Sequence, residues 1–189
     1  MDREDKDLIE SYLEGDEESL SLLVNRYLKQ VYNFIYRLCG NAKDAEDIVQ
    51  DTFFKMWKNI KKYIKGESFR PWLFTIARNT TIDWLRKKKS VVFSKFENEE
   101  GDNFFEETIE DLELLPDEVF EREENKKLAE SLLNSLPFNH REVLLLHYNE
   151  GMTFNEISKI LDKSIDTVKS QYRRAIITLR KKIDNAPKY

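Results

Sequence analysis

The sequence predicts an all-α protein made of two small helical domains joined by an acidic, flexible linker. Three observations carry that prediction. The 189 residues include only five glycines, Gly15, Gly40, Gly66, Gly101 and Gly151, and each lies where an apolar repeat stops. Strand signals are nearly absent, the best run being Val91, Val92 and Phe93, which is too short to build a sheet. Charge is segregated along the chain. Residues 55–89 hold eleven Lys/Arg against Glu67 and Asp83, residues 159–189 hold nine against three acids, and residues 94–124 hold two against fourteen. A net charge of −5 therefore conceals two basic modules, at +9 and +6, and a connector at −12. With 40% hydrophobic residues the chain can bury one sizeable core or two small ones, and the punctuation favours two.

Each element follows from local signals. Helices are predicted over 3–14, 17–39, 42–62 and 70–88, with Asp16 and Asn41 placed as caps ahead of their apolar repeats. These make a first domain over 1–90. Residues 91–117 carry acids, Gly101 and Pro116 without sustained periodicity, and read as the linker. A second domain over 118–186 holds helices at 118–134, 139–149, 153–161 and 165–184, with Asn139 and Glu142 expected to cap the helix after Pro137.

The last two helices are the most informative stretch. Thr153 and Glu156 form a capping box, Ile157, Ile160 and Leu161 give the first helix its apolar stripe, and Asp162, Lys163 and Ser164 make the turn. In the second helix Ile165, Val168, Tyr172, Ala175 and Leu179 share one face, and Asp166, Lys169, Ser170 and Arg173 the opposite one. That is a helix-turn-helix whose outer face suits a major groove, although paired amphipathic helices with a solvated cationic face also occur in ordinary bundles.

The first domain carries a second constellation. Residues 53–84 contain Phe53, Phe54, Trp57, Tyr63, Phe69, Trp72, Phe74 and Trp84 among the densest run of lysines, a combination that suits unpaired bases and their backbone. Phe53 and Trp57 fit the stripe of Ala45, Ile48, Val49, Met56 and Ile60 and are expected to pack, whereas Tyr63 and Phe69 flank the Gly66 loop and are harder to explain as core. Trp72, Thr75, Asn79, Asp83 and Arg86 share one side of the next helix. Asn and Asp can hydrogen-bond base edges there and Arg can pair with phosphate, though a solvated stripe has the same spacing. On the preceding helix Asp47, Gln50 and Asp51 form an acidic patch opposite the apolar stripe, either solvated or a surface for a basic protein helix.

Other classes lack support. Cys39 lies in the apolar pattern YNFIYRLC and reads as a small packed hydrophobe. The charged N-terminus and the lack of a long apolar run point to a cytoplasmic protein with neither signal peptide nor stable membrane insertion. The sequence has no Gly-rich phosphate loop, metal-ligand cluster or triad, so neither an enzyme nor a cofactor is expected, and His140 and His147 read as surface or packing residues.

On these residues the chain closely resembles the extracytoplasmic-function (ECF) subfamily of bacterial RNA polymerase sigma factors. DAEDIVQDTFFKMWK and FRPWLFTIARNTTIDWLRK look like the family's polymerase-binding and −10-reading helices, and LPFNHREVLLLHYNEGMTFNEISKILDKSIDTVKSQYRRAIITLRKKI like its −35-reading domain. The resemblance implies that Asp47, Gln50 and Asp51 meet the clamp coiled coil of the largest polymerase subunit. It implies that Tyr63, Phe69, Trp72, Asn79, Asp83 and Arg86 serve the single-stranded −10 element, with bases flipped from the melting duplex. Lys169, Ser170 and Arg173 would enter the duplex −35 groove, with Arg174 a phosphate contact. An anti-sigma partner is implied as well.

Under this reading the linker carboxylates, Glu106, Glu107, Glu110 and Asp111 among them, would occupy a cationic polymerase channel until RNA displaces them. The principal rival is a polymerase-independent helix-turn-helix regulator, which leaves the Asn79/Asp83 stripe and the clustered aromatics unexplained. A pure interaction protein would account for the acidic patch and not for the two basic modules.

Overall fold

The computed structural model describes residues 3–63, 68–95 and 129–184, and every regular element among them is helical. Helix α1 spans Asp5–Leu13, α2 Glu17–Cys39, α3 Ala42–Asn59 and α4 Phe69–Lys95, with a single 3-10 turn, Ile60–Lys62, closing α3. In the second unit α5 is described over 129–134, α6 spans Phe138–Leu144, α7 Phe154–Leu161 and α8 Ile165–Asp184. A π-helical turn over Leu145–Asn149 continues α6.

The predicted caps set the boundaries of the first unit. Asp16 accepts from the Glu18 amide and Asn41 from the Asp44 amide, while Gly40 ends α2 at φ +75°, a conformation that costs glycine nothing. Two expectations are corrected. Helix α4 runs through Val91, Val92 and Phe93 to Lys95, beyond the predicted helix end at residue 88. Pro137, without a side-chain hydrogen bond, occupies the N-cap of α6, and Glu142 is drawn into ion pairs instead of capping. The segment 96–128, which includes most of the predicted linker and the start of the 118–134 helix, lies outside the described residues.

Helices α1 to α4 close around Leu8, Leu23, Val31, Phe34, Ile35, Ile48, Met56, Leu73, Phe74 and Ala77. Each large apolar side chain removed from water contributes about 1.5–3 kcal/mol, so this layer supplies most of the driving force for the first unit. Asp5 anchors α1 on α2, pairing with Arg26 at 2.6 Å and accepting from the Tyr27 hydroxyl. In the second unit Val143, Leu145, Leu146, Ile157, Ile160, Leu161 and Val168 form the core. The two units are not held apart. Their apolar side chains belong to one continuous cluster, with α7 packed against α4 and α6 against α2.

Candidate nucleic-acid interface

The sequence patterns α4 so that its two sides do different work. Leu73, Phe74, Ala77 and Thr81 are buried, and a step of about 100° per residue turns Asn79, Asp83 and Arg86 to the exposed side. These three are therefore brought together as one polar stripe with carboxamide, carboxylate and guanidinium groups in line. At its N-terminal end Trp72 is half-buried, and the Thr75 hydroxyl donates to the Pro71 carbonyl at 2.9 Å and so turns back to the backbone. Arg78 donates to the Asn79 side-chain oxygen at 3.3 Å, which restrains the carboxamide.

The aromatic group beside this stripe is divided by burial. Phe69 is 3% exposed and packs between Tyr27, Tyr63 and Trp72 at ring separations of 5.5, 5.9 and 5.6 Å. Set at the start of α4 against α2, it is a core residue, although its place beside the loop made it hard to explain as core from the sequence. Tyr63 and Trp72, 5.5 Å apart, keep partial exposure. Loop residues 64–67, including Gly66, lie outside the described residues.

On α3 the acidic patch is solvent-facing as expected: Asp47, Asp51 and the neutral Gln50 between them are all exposed. The same face continues into two rings that the apolar periodicity did not separate from the core. Phe54 is 50% exposed beneath the Lys58 ammonium, and Trp57, expected to pack, is 47% exposed and donates its indole N–H to the Tyr12 hydroxyl at 2.8 Å. Trp57 sits one step off the Ala45, Ile48, Thr52, Met56, Ile60 line, which explains its place at the rim. Phe53, on the other flank, does pack against the core.

The helix-turn-helix forms as its residues dictate. Thr153 Oγ1 accepts the Glu156 amide at 3.2 Å while Glu156 accepts the Thr153 amide at 2.8 Å, completing the capping box. These bonds to Thr153 hold the Glu156 carboxyl below the usual range. The turn passes through Asp162 at φ +50°, and Ser164 caps α8 by accepting from the Thr167 amide. Val168 and Ala175 anchor α8, leaving Lys169, Ser170, Arg173 and Arg174 exposed. His147 is a packing residue, stacked on Phe154 at 4.4 Å, with its Nδ1 donating to the Met152 carbonyl. Cys39 is half-buried, and burial pushes its thiol pKa up.

Sequence reasoning missed the polar contacts between the units. Glu142, 1% exposed, pairs with Arg78 at 2.8 Å and Lys163 at 3.1 Å, and Glu150, 8% exposed, pairs with Arg70 at 2.9 Å. Burial pushes the Glu150 carboxyl up, opposed by the neighbouring Arg70. Arg141 donates to the Leu136 and Asn134 carbonyls and, at 3.4 Å, to that of Arg37. A carboxylate immediately ahead of the apolar run 143–146 was the available signal for the first of these. Among the described residues no cluster of His, Cys, Asp or Glu could hold a metal ion, and no helix is long and apolar enough to cross a membrane.

Comparison with known proteins gives this geometry its context. Residues 23–91 match Sigma-70 region 2 and residues 126–179 match Sigma-70, region 4, in that order. Over 180 residues the chain is 32% identical to the ECF RNA polymerase sigma factor SigW of Bacillus subtilis (strain 168), spanning 94% of this chain and 96% of that protein. The sigma factor RpoE of Bartonella quintana, solved in complex with the anti-sigma factor NepR, matches with a TM-score of 0.66 and 25% identity, covering 87% of this chain and 96% of that one. CnrH, solved in complex with the cytosolic domain of CnrY, shares the fold with a TM-score of 0.70 at 23% identity over 97% and 99% of the two chains. The exposed stripe of α4 lies within the region 2 match and the cationic face of α8 within the region 4 match, and the chain belongs to the ECF sigma factors, the promoter-recognition subunits of bacterial RNA polymerase.

Proposed function

We propose that this sigma factor divides initiation among three exposed faces. Asp47, Gln50 and Asp51 on α3 take the basic clamp coiled coil of the largest polymerase subunit, where carboxylates on one helix face complement a cationic partner. Asn79, Asp83 and Arg86, with Tyr63 and Trp72 at the head of the stripe, receive unpaired bases of the −10 element. Stacking and base-edge hydrogen bonds there offset the few kcal/mol of unpairing and unstacking. Lys169, Ser170 and Arg173 read the −35 major groove, and Arg174 holds phosphate. The observation that carries the reading is that both DNA faces hold exposed polar and cationic groups on helices whose opposite sides are anchored in the core.

The modules, 1–90 and 118–186 in the sequence reading, act bivalently once polymerase sets their spacing, so each DNA contact can be weak alone. Phosphodiester chemistry belongs to the polymerase core, and the protein works in the cytoplasm. An anti-sigma partner is part of the proposal, supported by the RpoE relative having been solved with one.

The test is transcription by purified bacterial core polymerase on a randomised promoter library, with and without this protein, reading RNA 5′ ends. Start sites sharing two upstream elements only in its presence are expected. No gain, together with tight duplex binding in the absence of polymerase, would overturn the reading in favour of an independent regulator.

A further inference from the structure

One histidine of the second unit carries a polar atom that the fold leaves unsatisfied. His140 is half-buried near the start of α6, and its Nδ1 is buried with no hydrogen-bond partner among the described residues. The next residue on the same side of α6, Leu144, packs on Ala175 of α8, so the His140 ring is directed to the junction of these two helices. A buried N–H without an acceptor is rarer than a buried acceptor left bare. The ring therefore keeps its proton on Nε2, the nitrogen that is not buried. Burial lowers the imidazole pKa, and the positive charges of Arg174 and Lys163 lower it further, so the ring is neutral at neutral pH. His140 thus presents a fixed, uncharged N–H donor.

The surroundings specify what this donor meets. Both charged groups that act on the ring are cations. Lys163 is already held by Glu142 at 3.1 Å, whereas Arg174 is exposed on α8 with no ion-pair partner among the described residues. A step of about 100° per residue sets Arg174 off the Lys169, Ser170 and Arg173 face, on the flank nearest α6. A helix seated in a major groove has a phosphate backbone along its flanks. We propose that His140 Nε2 donates to the DNA phosphate that Arg174 holds, so that α6 as well as α8 grips the backbone beside the −35 groove. The contact carries no base preference, and it accounts for a histidine at a position where one ring nitrogen goes unsatisfied. This inference rests on the assignment of α8 to the −35 element.

The experiment uses the full chain bound to core polymerase and a fluorescein-labelled promoter duplex recovered from the randomised library. His140→Leu should weaken promoter binding by about 3- to 10-fold, the loss of one hydrogen bond to phosphate, and by the same factor on every −35 variant. The urea midpoint of the free chain should hold or rise, because an unsatisfied buried nitrogen has been removed. His140→Gln, whose amide nitrogen reaches the place of the imidazole Nε2, should recover most of the binding. His140→Asn, whose amide nitrogen falls at the place of Nδ1, should not. Duplexes with a neutral methylphosphonate at single backbone positions locate the contact: the one substitution that most weakens wild-type binding on the α6 side should cost much less in His140→Leu and in Arg174→Gln.

A His140→Leu loss that adds in full to every methylphosphonate would overturn the phosphate contact, and so would equal binding by the Gln and Asn variants. A fall in the urea midpoint of His140→Leu, with promoter binding unchanged, would assign the ring to packing alone. If the wild-type chain with core polymerase selects no −35 element from the library, the assignment of α8 falls and this inference with it. A selected −35 element with additive losses removes this inference alone.

Discussion

Replacing Thr153 with Ala should destabilise the protein by about 1 kcal/mol, towards the lower part of the range for N-cap removal because the position is exposed. The structure shows what is lost. The hydroxyl accepts the Glu156 amide at 3.2 Å and donates to Glu156 Oε2 at 2.7 Å, and the bond from the Thr153 amide to Glu156 survives the substitution. Helix α7 has eight residues and is too short to persist alone, so its cap acts on the whole packed unit that Ile157, Ile160 and Leu161 hold together. About 1 kcal/mol corresponds to a fall in Tm of about 2–4 °C for a chain of this size.

The effect also has a pH signature. The Glu156 carboxyl is held low by the Thr153 amide and then by the Thr153 hydroxyl. A carboxylate with a depressed folded pKa contributes stability that is complete above its unfolded value, about 4.3, and is lost as pH falls through the folded value. The gap between wild type and Thr153→Ala should therefore be widest near neutrality and narrow below about pH 4. Urea unfolding followed by circular dichroism at both pH values measures it, with Thr153→Ser expected to recover most of the loss. A gap that widened in acid, or a Ser variant as weak as Ala, would refute the capping account.

Four further outcomes follow from the same geometry. Asp162→Val should cost about 1–2 kcal/mol, because a β-branched residue resists φ +50°, while Asp162→Gly should be neutral or stabilising; urea midpoints decide. Leu73→Ala, fully buried where α4 meets the shared core, should cost about 2–5 kcal/mol, read as a fall in the urea midpoint. Asn79→Ala should lower promoter-directed initiation by about 10- to 100-fold and relax base preference at one −10 position, as library sequencing would show. Asp47→Lys should weaken binding to core polymerase, in a way that rising salt makes less pronounced, measured by competition with the wild-type chain.

Much of the architecture was legible because helical periodicity is a local property. The stripes of α2, α3, α7 and α8, the caps at Asp16, Asn41 and Thr153, and the turn at Asp162 are all written within a few residues of where they act. The polar side of α4 was legible for the same reason, since Asn79, Asp83 and Arg86 are spaced for one face and that face is exposed. Phe69 and Trp57 went the other way. Both lie at the edge of an apolar stripe, where a change of one position moves a ring between core and rim, and only the neighbouring helices decide which: α2 covers Phe69, while Trp57 is left half-open beside Tyr12.

By itself, then, the chain determined an all-helical build, two basic modules about an acidic connector, a helix-turn-helix, and the residue types available on each exposed face, because each depends on composition or on short-range spacing. Tertiary structure decided that the two modules share one core, that Glu142 and Glu150 leave solvent to meet Arg78 and Arg70, and that the Asn79 carboxamide is held from the side. Those pairings join residues 64 and 80 positions apart. No local pattern encodes such a meeting, since an ion pair across that separation exists only once packing has brought its partners together and removed the water that would otherwise screen them.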